Sequence, residues 1–247
     1  MHKMTLTLLT LIFLSSCGVK EKDKDKIGDA QSCLDGATTS TAEACLDKVS
    51  GIESASAYNI RCAAKFIREG FADPQKIVTA FETLNNSSNQ LDTFMSLITF
   101  TSKANITLDA SNAETTFGYC YQSGAKGSLI IAAFGHLATA LYGYLNSINP
   151  SGCSSTPSST GYPLQTCLLN AGSLAAVVDL ASANPSAGAS SMQAVLGSIV
   201  LTTYRVSCPD GRPANESLCN TLKSSVDSGG SNSGSVGRYF LKSLAGI

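Results

Sequence analysis

Residues 128–145 read SLIIAAFGHLATALYGYL, a stretch apolar around the whole circumference of a helix. Such a helix is either enclosed by other elements or lies at the lower length limit of a membrane span, which needs about 20 residues. Gly127, Gly135 and Gly143 recur along it every eight residues. With Ala132 and Thr139 they form a seam of small residues against which another helix backbone can approach closely. The surroundings share this character: the 78 residues of 127–204 contain a single formal charge, Asp179. A soluble domain carries about 25% charged residues, so this section reads first as central helices sheathed by the rest of the chain. A partner-facing surface and membrane insertion through 128–145 are the alternatives. His136 and several hydroxyls within the stretch weigh against a span.

Outward from this helix the pattern stays helical. Ser40 and Glu43 have capping-box spacing ahead of Ala44-Cys45-Leu46. Residues 55–69 set Tyr58, Cys62, Phe66 and Ile67 on one stripe, and Gly70 offers a stop. Asp73-Pro74 opens a helix presenting Ile77, Val78, Phe81 and Leu84, and Leu91, Phe94, Met95 and Ile98 form a further stripe. Helices are also expected at about 112–122, 126–147, 163–183, 188–205, 214–225 and 235–245. No alternation of β-branched and polar residues persists, so the class is all-α: a disulfide-stapled helical bundle or helical-hairpin array. The stretches 147–161 and 224–237, rich in Ser with Pro or Gly, read as mobile surface loops. The first can divide a helical domain, 31–247, into halves 31–146 and 162–247.

The amino terminus has three zones. His2 and Lys3 give a positive start, residues 4–14 (MTLTLLTLIFL) an apolar run too short to span a bilayer, and Leu14-Ser15-Ser16-Cys17 an aliphatic residue, two small ones and a cysteine. This resembles the lipobox of bacterial lipoproteins. The resemblance implies a signal peptide over 1–16, cleavage before Cys17, and a diacylglycerol on its thiol with a third, palmitate-class chain on its amine. At about 0.8 kcal/mol per buried methylene, such chains make a lasting anchor. Gly18 stands where an aspartate would mark inner-membrane retention, so the resemblance favours the outer membrane of a Gram-negative cell, bounding the periplasm, with the leaflet left open. Lys20 to Lys26 alternate in charge, and 17–30 therefore reads as the lipidated cysteine followed by a solvated tether. Asp23, Asp25 and Gly28 do not make an EF-hand, because Ile27 and Leu34 occupy ligand positions.

Eight further cysteines remain: Cys33, Cys45, Cys62, Cys120, Cys153, Cys167, Cys208 and Cys219. An even number in an exported chain points to disulfides. None lie in a C-x-x-C spacing, and only one histidine follows the cleavage site, which argues against zinc or iron–sulfur. On the order of a hundred pairings are open to eight cysteines. Sequence proximity suggests Cys208 with Cys219, Cys153 with Cys167 and Cys33 with Cys45, which leaves Cys62 with Cys120.

No chemistry-bearing motif emerges. Walker, dinucleotide-binding, H-E-x-x-H and G-x-S-x-G patterns are absent, and the carboxylates are scattered. A net charge of −1 without a basic run gives no footprint for nucleic acid. No catalytic, cofactor or metal residue is therefore assigned. His136 is expected to be a buried histidine bonded to a carbonyl or hydroxyl; the sharper reading makes it the base of a hydrolase, with Asp179 as a candidate acid. The expectation is a lipid-anchored envelope protein with a structural or partner-binding role, binding the membrane through Cys17 and an envelope protein through its helices. An envelope hydrolase using His136 and a membrane-inserting protein using 128–145 are the alternatives.

Overall fold

A computed structural model of the protein describes residues 21–71, 78, 95–148, 151–157, 162, 164, 167, 189–208 and 216–245. Among these residues all regular structure is helical. The elements are α1 (Glu21–Asp35), a 3₁₀ helix (Ala42–Val49), α2 (Ala55–Arg68), α3 (Ile106–Ser123), α4 (Lys126–Ile148), α5 (Ala189–Ser207), α6 (Glu216–Gly229) and α7 (Ser233–Ala245). The signal and lipobox residues lie outside the described residues, as do Asp179, most of 163–183, and the 73–84 stripe apart from Val78.

Packing proceeds serially along the chain. α1, the 3₁₀ helix and α2 enclose a small core of their own, containing Ala30, Leu34, Val49, Ile52 and Ile60. α2 lies on α3, α3 and α4 form a hairpin, α4 lies on α5, and α5 packs on α7 and α6. The largest core extends in sequence from Met95 to Leu241 and draws side chains from both sides of 147–161. The cysteines join as Cys33–Cys45, Cys62–Cys120, Cys153–Cys167 and Cys208–Cys219. Cys62–Cys120 ties α2 to α3 across 58 residues of sequence, whereas the other three close loops of 11 to 14.

α4 is the central helix. Eleven of its residues between Ala132 and Leu145 are buried, and Leu137, Ala138, Leu141 and Tyr142 have no accessible surface. The seam of small residues works differently from the expectation. A Cβ on Gly127 would meet nothing within 4 Å, and one on Gly143 would make ordinary contact with Ile106. Only Gly135 is crowded, and it admits the Phe100 ring and the Ile98 carbonyl rather than a helix. Thr139 completes this contact, accepting a hydrogen bond from Phe100 N at 2.9 Å while donating to the Gly135 carbonyl. Close backbone approach occurs instead where α5 crosses α7. There a Cβ on Gly197 would overlap the Ser233 carbonyl oxygen, and one on Gly237 would overlap that of Gln193.

Other expectations are corrected by local chemistry. Residues 21–30, read as tether, form the first part of α1. Lys and Glu are good helix formers, Glu21 and Asp23 sit favourably at its start, and Ile27, Ala30 and Leu34 supply an apolar stripe beyond the charges. Ser40 and Glu43 do not make a capping box: Thr41 occupies the cap of the 3₁₀ helix, and its hydroxyl accepts from Thr38 N instead of capping. α3 starts at Ile106 rather than near 112, because Asn105 Oδ1 accepts from Thr107 N and Leu108 N at 3.0 and 3.2 Å. The Ser/Gly-rich 224–237 is mostly helical. Its glycines serve a tight turn, with Gly230 at φ +63° and Asn232 Oδ1 accepting from Ser235 N at 2.9 Å. Within 147–161, the described part is held by Cys153 and by a hydrogen bond from Ile106 N to Ser155 O.

Candidate functional site

The α5–α7 crossing fixes one wall of a groove of about 470 Å³. Across from α5, α3 contributes Glu114 and Phe117, and α4 contributes Ala133 and His136. This volume lies within the usual range for small-molecule sites, about 300–1,000 Å³. The apolar part of the lining is Phe117, Ala133, Ala194, Val195 and Ile199, with Val195 exposed, Ile199 buried, and the Phe117 ring 5.8 Å from the imidazole of His136. The polar groups on the opposite side are hydroxyls of α5, including Ser198 and Thr202, together with Ser233 at the start of α7. Glu114 is the only charged lining residue among those described.

His136 departs from the sequence expectation. Burial lowers its pKa to about 4, so the ring is neutral near pH 7, with one nitrogen a donor and the other an acceptor. No hydrogen bond to a carbonyl or hydroxyl holds it among the described residues; its neighbour is the Phe117 face. The nearby threonine hydroxyls are directed elsewhere: Thr202 donates to Ser198 O at 2.9 Å, and Thr203 to Ala133 O at 3.4 Å. A nucleophile–histidine hydrogen bond, the geometric mark of a hydrolase, is not formed among these groups. The groove therefore offers a neutral hydrogen-bonding ring on an apolar floor.

Two buried carboxylates that sequence inspection did not single out lie on the other face of α3. Glu69 accepts from Thr101 N at 2.7 Å, Ser102 N at 3.1 Å, Asn112 Nδ2 at 2.8 Å and the Ser102 hydroxyl. Asp109 accepts from Lys103 N at 2.8 Å, Asn105 N at 3.3 Å and Tyr162 OH at 2.8 Å. Burial raises the pKa of both, opposed by these hydrogen bonds. Their work is structural: they fix the 101–105 segment, in which Ala104 has a left-handed φ of +52°. Nothing in their sequence positions announces this. Glu69 reads as a helix-end residue and Asp109 lies ahead of the helix expected from about 112, and only the fold brings both to one loop.

Among the described residues, no group of three or more His, Cys, Asp or Glu is arranged to hold a metal ion. No family model, curated protein or solved structure matches the chain.

Proposed function

We propose that the protein is an exported lipoprotein of the bacterial envelope, anchored through Cys17, that binds a small, uncharged and largely apolar ligand in the α3–α4–α5 groove. The groove carries the ligand half of this reading: a neutral His136 without a protein hydrogen-bond partner among the described residues, set on apolar walls. Glu114 disfavours anionic ligands, and the ring can donate or accept one hydrogen bond to a polar group at the ligand's buried end. The lipobox pattern and four disulfides support the envelope half. Burial of α4 fits a division of labour in which the lipid anchors and α4 serves as core.

The ligand half is tested with a neutral apolar fluorophore such as N-phenyl-1-naphthylamine. Saturable fluorescence enhancement in the parent chain, abolished in Thr202→Phe with helicity intact, is the expected result. Absence of saturable uptake refutes the groove as a binding site. The anchor half is tested by labelled palmitate: incorporation that persists in Cys17→Ser refutes it. A second reading, an envelope hydrolase, draws on His136, Glu114 and the surrounding hydroxyls sharing one groove. An ester-hydrolysing activity lost in His136→Gln with the fold retained favours it over a pure binding role.

A further inference from the structure

Three cations converge on one carboxylate at the junction of the 3₁₀ helix, the end of α2 and the 101–105 segment. Lys65 Nζ lies 2.7 Å from Glu43 Oε1, Lys103 Nζ lies 3.7 Å from the same oxygen, and Arg68 pairs with Oε2. Of these four residues, Glu43 and Arg68 line a cavity of about 420 Å³ together with Thr39, Ser40 and Ser102, and the two lysines reach it through Glu43. Two further acids stand behind the cluster: the charge of Glu69 acts on Lys65 and Lys103, and that of Asp109 on Lys103. Glu69 is buried and accepts from Thr101 N, Ser102 N, the Ser102 hydroxyl and Asn112 Nδ2. Asp109 is fully buried and turned onto backbone N–H groups and Tyr162. Glu43 is the partly exposed carboxylate within ion-pair distance of all three cations, while Glu69 and Asp109 are buried behind them. Lys103 sits below its ordinary pKa range, through burial first and then through Arg68 and Lys65, opposed by the charges of Glu69 and Asp109.

The pieces are held in place for this. The 101–105 segment that carries Lys103 is clamped by both buried acids, and Lys65 and Arg68 stand three apart on α2, on one face of that helix. Arg68 presents the planar fork that suits a tetrahedral oxyanion, and the two ammonium groups act as point charges beside it.

We infer that Lys65, Arg68 and Lys103 form a phosphate-binding site, for which Glu43 is an internal competitor. The ligand chemistry is a phosphate group, supplied either by free phosphate or by an anionic lipid headgroup. The site is separate from the α3–α4–α5 groove and does not depend on the reading of that groove.

The test uses the full-length mature chain as Cys17→Ser, titrated with inorganic phosphate at low ionic strength and followed by calorimetry. Saturable binding is expected, weakened about tenfold or more in Arg68→Gln/Lys103→Gln. Glu43→Gln separates a ligand site from a satisfied internal ion cluster: removal of the competitor is expected to tighten phosphate binding several-fold. Vesicles of phosphatidylcholine with and without phosphatidylglycerol separate the sources. Sedimentation with phosphatidylglycerol vesicles alone, lost in Arg68→Gln/Lys103→Gln, assigns the headgroup; calorimetric binding without sedimentation assigns free phosphate. Circular dichroism verifies that each variant is folded. The inference is overturned if neither the parent chain nor Glu43→Gln binds phosphate or these vesicles, or if the double variant binds as the parent does.

Discussion

Replacing Gly197 with alanine adds one methyl group at the α5–α7 crossing. That carbon would overlap the Ser233 carbonyl oxygen and lie 2.7 Å from both Ser233 C and Gly237 N. The obstacles are backbone atoms of a packed helix, not the far end of a flexible chain, so the helices must separate. Overpacking of this kind costs about 1–3 kcal/mol and sometimes more, and backbone-on-backbone contact belongs at the upper end, ~3 kcal/mol. Alanine's higher helix propensity returns about 1 kcal/mol. A net loss of ~2 kcal/mol lowers the melting midpoint by roughly 4–8 °C for a domain of this size. The assay is thermal unfolding by circular dichroism with disulfides intact, with Gly28→Ala in α1 as the matched control. A Cβ at Gly28 meets nothing within 4 Å, so that change is expected to stabilise by ~0.5–1 kcal/mol. Because Ser233 borders the groove, Gly197→Ala is also expected to weaken fluorophore uptake. If Gly197→Ala melts at or above the parent, the reasoning about this crossing is wrong.

Other perturbations probe separate parts of the fold. Removing the Cys62–Cys120 bond as a double alanine variant should cost ~4 kcal/mol by loop-closure entropy, against ~3 kcal/mol for Cys208–Cys219, as urea denaturation would measure. Ala104→Gly relieves a left-handed backbone and is expected to raise stability by about 1 kcal/mol; a lower midpoint refutes strain at that residue. The His136 ring should titrate near pH 4 by NMR. Its folded pKa lies below the unfolded value of 6.5, so the unfolded chain binds the extra proton between them, and this group's contribution to stability falls as pH drops from 6.5 towards 4. In His136→Gln that part of the pH dependence should vanish.

The helical class was legible because apolar periodicity and capping signals act locally. Ser54 caps α2 by accepting from Ala57 N, and Gly70 follows that helix with φ +73°, as its sequence position implies. The near-absence of charge over 127–204 likewise pointed to enclosure, and α4 is enclosed. Misreadings arose where one residue type serves two ends. A glycine-rich stretch signals a flexible loop by composition, yet Gly229 packs against Val236 and Gly230 makes the turn between two helices. Charge alternation in 20–26 hid a helix because its apolar stripe begins only at Ile27. The phosphate site was illegible for another reason. Lys65 and Arg68 share a helix, but Lys103 and Glu43 arrive from stretches far away in sequence, and no basic run marks them. His136 was noticed for its rarity, while its neighbours Phe117 and Thr203 were not, since only packing of α3 and α5 on α4 brings them together.

The disulfides have a mechanical meaning as well as a thermodynamic one. Suppose the amino terminus is pulled while the groove-bearing helices are held by a bound partner. The shortest covalent route for that load crosses from Cys33 to Cys45, runs on to Cys62, and crosses to Cys120 at the end of α3. Residues 34–44 and 63–119 lie on slack side loops of this route. Tension thus bypasses the 101–105 segment and the cations around Glu43, and reaches α4 through sulfur rather than through packed side chains. A protein on a leash would keep both of its sites in shape while the leash is taut, and reduction of Cys62–Cys120 would place the load on the very segment that carries Lys103.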